Sequence, residues 1–318
     1  MMAFARELGQ IVVKADGLHG GKGVLVQGDH FGTLEEGVEA AKRVVAHGEH
    51  VVIEEKLVGQ EFSLMSFVDG RNVVDMPVIQ DHKRAFEGDK GPNTGGMGTY
   101  NYPGVLPFLT DQDLADAHQI TVKVAAALKE ECGTPFKGIM YGGFIAVRNG
   151  VRLIEYNARF GDPEVMNALT LLETDLVEVC QATIDGTLDE VNVKFARKAT
   201  VCKYVVPEGY PEKPVKGVEI TLGEIPEGVH CYFASVSAGG DTVGNGAVSG
   251  EWDGKTLTLG GSRALAFVGV GDTIEEAERL AQTGVESVSG PVFHRKDIGT
   301  QALIGKRVDM MRDLRAES

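Results

Sequence analysis

Cysteine, tryptophan and positive charge are all scarce in this chain. Its four cysteines, Cys132, Cys180, Cys202 and Cys231, are scattered over 318 residues with no CxxC pair. That spacing argues against a zinc site or a disulfide framework and fits a reducing cytoplasm. No apolar run approaches the roughly 20 residues that span a bilayer. The opening MMAFARELGQ lacks the apolar core of a secretory signal, so none is expected. Lys and Arg total 31 against 46 Asp and Glu, a formal net charge of −15. Such a surface repels nucleic acid and anionic membrane, so neither is an expected partner. A phosphate-bearing ligand therefore needs a local cluster of cations. No Ser/His/Asp or Cys/His constellation offers a covalent nucleophile, and the P-loop pattern GxxxxGK[ST] is absent.

What is abundant is glycine, with 42 residues concentrated at 17–23, 91–98 and 138–143 and a scatter at 239–261. The first two clusters read as loops that approach phosphate. Around the first of them, apolar spacing predicts strands at 11–14, 24–27 and 51–54 and an amphipathic helix at 33–47. Strands at 61–68 and 73–79 are joined by a turn at Asp69-Gly70. Residues 81–104 lack periodicity and read as one long loop, a length that is usually functional. A helix follows at 111–131. Strands at 139–147 and 151–156 form a hairpin closed by Asn149-Gly150. Pro163 suits the first turn of a helix running to about residue 184. After a change of texture near residue 190, strands dominate (199–206, 229–236, 246–251, 256–259, 263–270), with a helix at 273–288.

Four segments carry chemistry. The first is Lys14 with loop 16–23, where Gly17, Gly20, Gly21 and Gly23 leave backbone N–H groups open to phosphate and Lys22 adds charge. A plain glycine-rich turn is the competing reading. The second is 52–57 with Glu61, a strand exit able to face an adenine edge while a carboxylate takes ribose hydroxyls; solvated acids at a strand end compete. The third joins Asp81, His82, Lys83 and Arg84 to the run Gly-Pro-Asn-Thr-Gly-Gly-Met-Gly at 91–98, which suits an anionic small molecule. Asn93 and Thr94 can donate to its oxygens, and His82 reads as structural. The fourth is Glu155-Tyr156-Asn157-Ala158-Arg159. Strand alternation puts Glu155 and Asn157 on one face. Two hard oxygen ligands with a guanidinium nearby suit Mg²⁺ and a transferring phosphoryl group. His19, Tyr141 and Trp252 read as structural, and 294–297 as a solvated turn.

Taken in order, these segments resemble the ATP-grasp superfamily. The runs at 13–24, 80–84, 91–98 and 155–164, and Phe-His-Arg-Lys-Asp-Ile-Gly at 293–299, resemble more closely the phosphoribosylamine–glycine ligase (glycinamide ribonucleotide synthetase) family. The resemblance implies an α+β fold: two ATP-grasp lobes gripping ATP over 1–190, the flap lobe at about 11–57, then a small mostly-β domain at 191–318. It implies that Lys14, Gly20, Gly21, Lys22 and Gly23 hold the ATP phosphates. Glu54, Glu55 and Leu57 would frame adenine, and Glu61 the ribose. Glu155 and Asn157 would bind Mg²⁺ or Mn²⁺. Arg159, Lys83 and Arg84 would be the catalytic cations. Asp81, Asn93, Thr94, Gly95, Gly96, Met97 and Asp162 would face glycine and 5-phosphoribosylamine.

Two departures from the pattern stand out. The family carries a nucleotide-fold domain and a helical lead-in before the flap, whereas this chain begins just ahead of the flap strand. A separate polypeptide supplying that part is therefore an expected partner, and an inactive or partner-dependent nucleotide-binding fragment is the rival reading. The second departure, from the wider superfamily, is the lack of an acid at Gly143 or Ala146, where many grasp enzymes place another metal ligand. Another ATP-grasp carboxylate–amine ligase is a further alternative, against which the run 80–98 argues.

Overall fold

The computed structural model describes residues 1–17, 23–238, the backbone of 241–243, and 254–316. Contacts divide the chain into two units, Met1–Val58 and Gly59–Ser318. The predicted strand at 246–251 and Trp252 lie outside the described residues, as do His19, Gly20, Gly21 and Lys22.

In the first unit, strands Val24–Val26, Ile11–Ala15 and Val51–Glu55 form an antiparallel sheet with Ile11–Ala15 central. Helix Leu34–Ala46 begins with a reciprocal capping box, Thr33 accepting from the Glu36 N–H and Glu36 accepting from the Thr33 N–H. Its Val38 and Ala41 pack with Ile11 and Val13 in a small core. Helix Met2–Leu8, for which the sequence carried no clear signal, adds Ala5 to that core.

The second unit holds a four-stranded sheet built on Gly138–Val147, flanked by Gln60–Val68 and Gly150–Asn157. The Asn149-Gly150 hairpin forms as its turn chemistry requires. A β-bulge at Gly143/Phe144 shifts the register, so Gly143 faces Glu155 while Phe144 faces Leu153. The extra residue, Ile154, lines a cleft alongside Glu155. A bulge re-aims side chains in this way near functional sites.

Three expectations are corrected. The loop at 81–104 contains short strands Gln80–Asp81, Arg84–Phe86, Lys90–Asn93 and Gly98–Asn101. Two of them, Gln80–Asp81 and Gly98–Asn101, join Ala199–Pro207, Leu265–Gly271 and Val229–Phe233 in one sheet. Non-local pairing, which leaves little local pattern, ordered this segment. The helix drawn from 163 to 184 is two helices, Glu164–Leu171 and Leu176–Asp185, and Asp175 caps the second by accepting from Val177 and Glu178 N–H. The turn at 294–297 is not solvated throughout. Arg295 is 1% exposed and is held by Asp89 and Asp297. Helix Gln301–Ala316, which the sequence reading did not place, follows it.

Candidate active site

The second unit opens a small cleft lined by Glu61, Ser63, Asp81, Lys83, Tyr141, Gly143, Ile154 and Glu155, with the ring of Phe62 stacked on Phe144 at its wall. Four predicted site residues, Glu61, Asp81, Lys83 and Glu155, therefore converge from three separate strands or their ends. Lys83 Nζ lies 3.6 Å from Glu61 Oε2. Burial alone would depress the Lys83 ammonium. The carboxylates of Glu61, Asp81, Glu155 and Glu164 outweigh that and hold its pKa above the usual lysine value. Removal from water, with Glu164 beside it, pushes the Asp81 carboxyl well above the usual carboxylate range, although Lys83, Arg263 and the His82 N–H oppose this. That N–H donates to Asp81 Oδ1 at 2.7 Å.

The Glu155 side chain stands at the exposed strand end, and Asn157 lies two residues on, paired in register with Tyr141. The Arg159 guanidinium lies 5.9 Å from the Tyr141 ring centroid, and its Nη1 donates to Phe160 O at 2.7 Å. Tyr141, read from sequence as structural, also lines the cleft. Its hydroxyl donates to Glu164 Oε1 at 2.8 Å, and Ser63 Oγ donates to the same oxygen at 2.9 Å.

The predicted substrate loop folds onto the same cleft. The Thr94 N–H and hydroxyl both donate to Lys83 O, at 2.7 and 2.8 Å, and Gly96 N–H donates to Thr94 Oγ1 at 3.0 Å. Gly96 has φ +111°, and a Cβ there would lie 2.7 Å from Asp81 Oδ1 and 2.6 Å from Pro163 Cδ. Only glycine permits that approach. Met97 is fully buried in the core cluster, so its backbone is what it presents: its N–H donates to His82 O at 2.8 Å. Asn93 and Gly95 are exposed, and Arg84 Nη1 is turned to Gly91 O at 3.0 Å. Asp162 accepts from Tyr204 OH at 2.9 Å and from Arg263 Nη2 at 2.8 Å.

In the first unit, Lys14 Nζ and Glu54 Oε2 form an ion pair at 2.5 Å on neighbouring strands. Glu55 is exposed, Leu57 half-buried, and Gly23 O accepts from Ala15 N–H at 3.3 Å.

Sequence reasoning missed Glu164, Arg263, Ser63 and the Asp89–Arg295–Arg307 network. Glu164 had a usable signal, since it ends the run that starts at Glu155. Arg263 had none.

The fold defines a class first. A biotin carboxylase domain of Hydrogenobacter thermophilus, solved with MgADP and bicarbonate, superposes with a TM-score of 0.64 at 16% identity, covering 98% of this chain and 63% of its own. At that identity the likeness concerns the fold, which is that of an α+β ATP-grasp protein. The family follows from closer matches. The model of the phosphoribosylglycinamide synthetase ATP-grasp (A) domain matches residues 2–165, and that of the C domain matches 200–301. The phosphoribosylamine–glycine ligase of Methanosarcina acetivorans is 48% identical over 314 residues, 98% of this chain and 68% of the relative. That of Methanocella arvoryzae is 49% identical over 306 residues, covering 96% and 67%. The crystal structure of the Thermotoga maritima enzyme gives a TM-score of 0.73 at 34% identity, over 93% of this chain and 72% of that one. This chain belongs to the phosphoribosylamine–glycine ligase family, a family of ATP-using ligases. It spans about two thirds of the length of these relatives.

Proposed function

We propose that this protein ligates glycine to 5-phosphoribosylamine at the expense of ATP, in de novo purine biosynthesis. The observation that carries the reading is the cleft in which Lys83, Asp81, Glu61 and Glu155 meet, with the loop 93–97 folded against it. In the first step a glycine carboxylate oxygen attacks the γ-phosphorus, the bond to the β,γ-bridging oxygen breaks, and glycyl phosphate and ADP form. The phosphoribosylamine nitrogen then attacks the acyl carbon, the C–O bond to phosphate breaks, and the amine loses a proton. Products are glycinamide ribonucleotide, ADP and phosphate.

No enzyme nucleophile takes part, so the chain's work is positioning and charge. Lys83 and Arg159 balance charge that builds on the transferring phosphoryl group. Asp81 and the backbone of 93–97 orient the glycine and the amine. Lys14, Gly20, Gly21, Lys22 and Gly23 hold phosphates, Glu54 to Leu57 the adenine, and Glu61 the ribose. Glu155 and Asn157 would hold Mg²⁺, or Mn²⁺ in its place, which when bound would neutralise phosphate charge. The described residues form no cluster of three or more His, Cys, Asp or Glu suited to a metal. A two-oxygen donor set fits an ion that keeps its other positions for phosphates and water.

We propose further that residues 1–190 form the ATP-grasp part and 191–318 the C-terminal part. A polypeptide matching the remainder of the relatives' length would complete the phosphoribosylamine pocket. The scattered cysteines support a cytoplasmic setting. No helix among the described residues is long and apolar enough to cross a membrane. The test measures ADP release and glycinamide ribonucleotide formation by this chain alone and with that polypeptide added. ATP binding with no glycine-dependent turnover in either condition would sink the proposal.

A further inference from the structure

Arg263 lies between strands Thr256–Leu259 and Leu265–Gly271, far in sequence from every segment of the site. Its side chain is 15% exposed. The two protons of Nη1 are shared among three backbone oxygens within reach, Gly95 O at 2.8 Å, Gly96 O at 3.2 Å and Asp162 O at 3.3 Å. Nη2 donates to Asp162 Oδ2 at 2.8 Å. The guanidinium carbon stands 4.5 Å from the centroid of the Tyr204 ring, and the Tyr204 hydroxyl donates to the other carboxylate oxygen, Asp162 Oδ1, at 2.9 Å.

One planar cation thus joins two segments that sequence separates: the glycine turn at 95–96 and the Asp162–Pro163 step that opens helix Glu164–Leu171. The turn in turn lies against Asp81, since the space beyond Gly96 is filled by Asp81 Oδ1 and Pro163 Cδ. Both oxygens of Asp162 are engaged, so its carboxylate serves as a strut.

We propose that Arg263 is a positioning residue of the ligation: through the Gly95–Gly96 turn and Asp162 it sets the backbone that orients the glycine and amine substrates against Asp81. The inference rests on the function proposed above. A lysine cannot substitute, because an ammonium is a point charge without the fork that reaches a carboxylate and three carbonyls while stacking on a ring.

The test compares Arg263→Lys, Arg263→Met and Tyr204→Phe with the unaltered full chain, in two measurements. The first is amide hydrogen exchange. Gly96 and Met97 N–H are bonded to Thr94 Oγ1 and His82 O, and both Arg263 variants are expected to speed their exchange at least about tenfold, with strand Gly138–Val147 unchanged. Unchanged exchange at 96–97, or faster exchange throughout, overturns the proposal. The second is steady-state kinetics. Both Arg263 variants are expected to raise KM for glycine or phosphoribosylamine about tenfold or more, with KM for ATP held within about twofold, and Tyr204→Phe to act in the same direction more weakly. Full rescue by Arg263→Lys, or parallel changes in all three KM values, overturns it. An unaltered protein that makes no glycinamide ribonucleotide sinks the functional reading alone, because the exchange measurement still decides whether Arg263 sets the turn.

Discussion

The hydroxyl of Tyr141 donates to Glu164 Oε1 at 2.8 Å, joining the central strand of the cleft to the first turn of the helix that follows the Glu155–Arg159 run. Ser63 Oγ donates to the same oxygen and stands 2.9 Å from the Tyr141 oxygen. Two hydroxyl protons serve three close contacts, so the carboxylate is what keeps the two hydroxyls together. Glu164 is only 1% exposed.

Replacing it tests this. Glu164→Ala takes from two buried hydroxyls the carboxylate they share and is expected to cost on the order of 2–4 kcal/mol. Glu164→Gln keeps an oxygen in place and is expected to cost less than half of that. Urea unfolding midpoints with unchanged m-values would measure both.

Glu155 sits at an exposed strand end, so its loss has little structural consequence. Glu155→Ala is expected to lower kcat by roughly a hundredfold or more while leaving the unfolding midpoint nearly unchanged. Asn157→Ala is expected to follow with a smaller loss that added Mg²⁺ partly restores. Chelation of divalent cations is expected to stop ADP release in the unaltered protein. Glycine-dependent ADP release that persists in Glu155→Ala would remove this residue from the site.

Asp89 bridges Arg295 and Arg307, accepting from Arg295 Nη1 at 2.9 Å and from Arg307 Nη2. Arg295 also donates to Arg84 O at 3.0 Å, and Gly88 N–H donates to Asp297 Oδ2 at 2.8 Å. The network thereby fastens the hairpin Arg84–Phe86/Lys90–Asn93 to the segment before the last helix. Asp89→Ala is expected to destabilise the protein by about 2–3 kcal/mol, since it strips a counter-ion from a buried guanidinium. In a double-mutant cycle with Arg307→Met the two effects are expected to fall short of additivity by at least about 0.5 kcal/mol. Additive effects would show that the pair contributes no coupling.

Asp69 gives the pH dependence. Burial would raise its pKa, but the N–H groups of Asn72, Arg71 and Leu188 and the Asn72 side-chain amide lower it to about 2 from the ordinary 3.8. The folded pKa is depressed, so the carboxylate's stabilisation is fully present above the unfolded value and is lost as pH falls through about 2. The contribution is on the order of 2 kcal/mol. Between pH 4.5 and 2.5, Asp69→Asn is expected to lose less stability than the unaltered chain. Parallel stability profiles for the two proteins would refute this.

Much of the local structure is legible in the residues. The Asn149-Gly150 turn specifies its hairpin, and Thr33 with Glu36 starts helix Leu34–Ala46. The order Lys14, Asp81–Arg84, 91–98 and Glu155–Arg159 announces the family. Each of these signals is short-range, because turn dihedrals, capping bonds and side-chain alternation are settled within a few residues of chain.

Tertiary structure alone decided the rest. The segment 80–101 has no periodicity, and its strands exist because Gly98–Asn101 pairs with Ala199–Pro207, about a hundred residues on. Polar links also join segments far apart in sequence: Asn167 Nδ2 donates to Thr200 Oγ1 at 2.8 Å, and Arg263 reaches Gly95 and Asp162. An arginine in a connecting segment looks like any solvated cation until folding removes it from water and places four acceptors around its guanidinium. The sequence by itself determined four of the polar groups that meet in the cleft, Glu61, Asp81, Lys83 and Glu155. Long-range pairing and the satisfaction of buried polar groups decided how they are held.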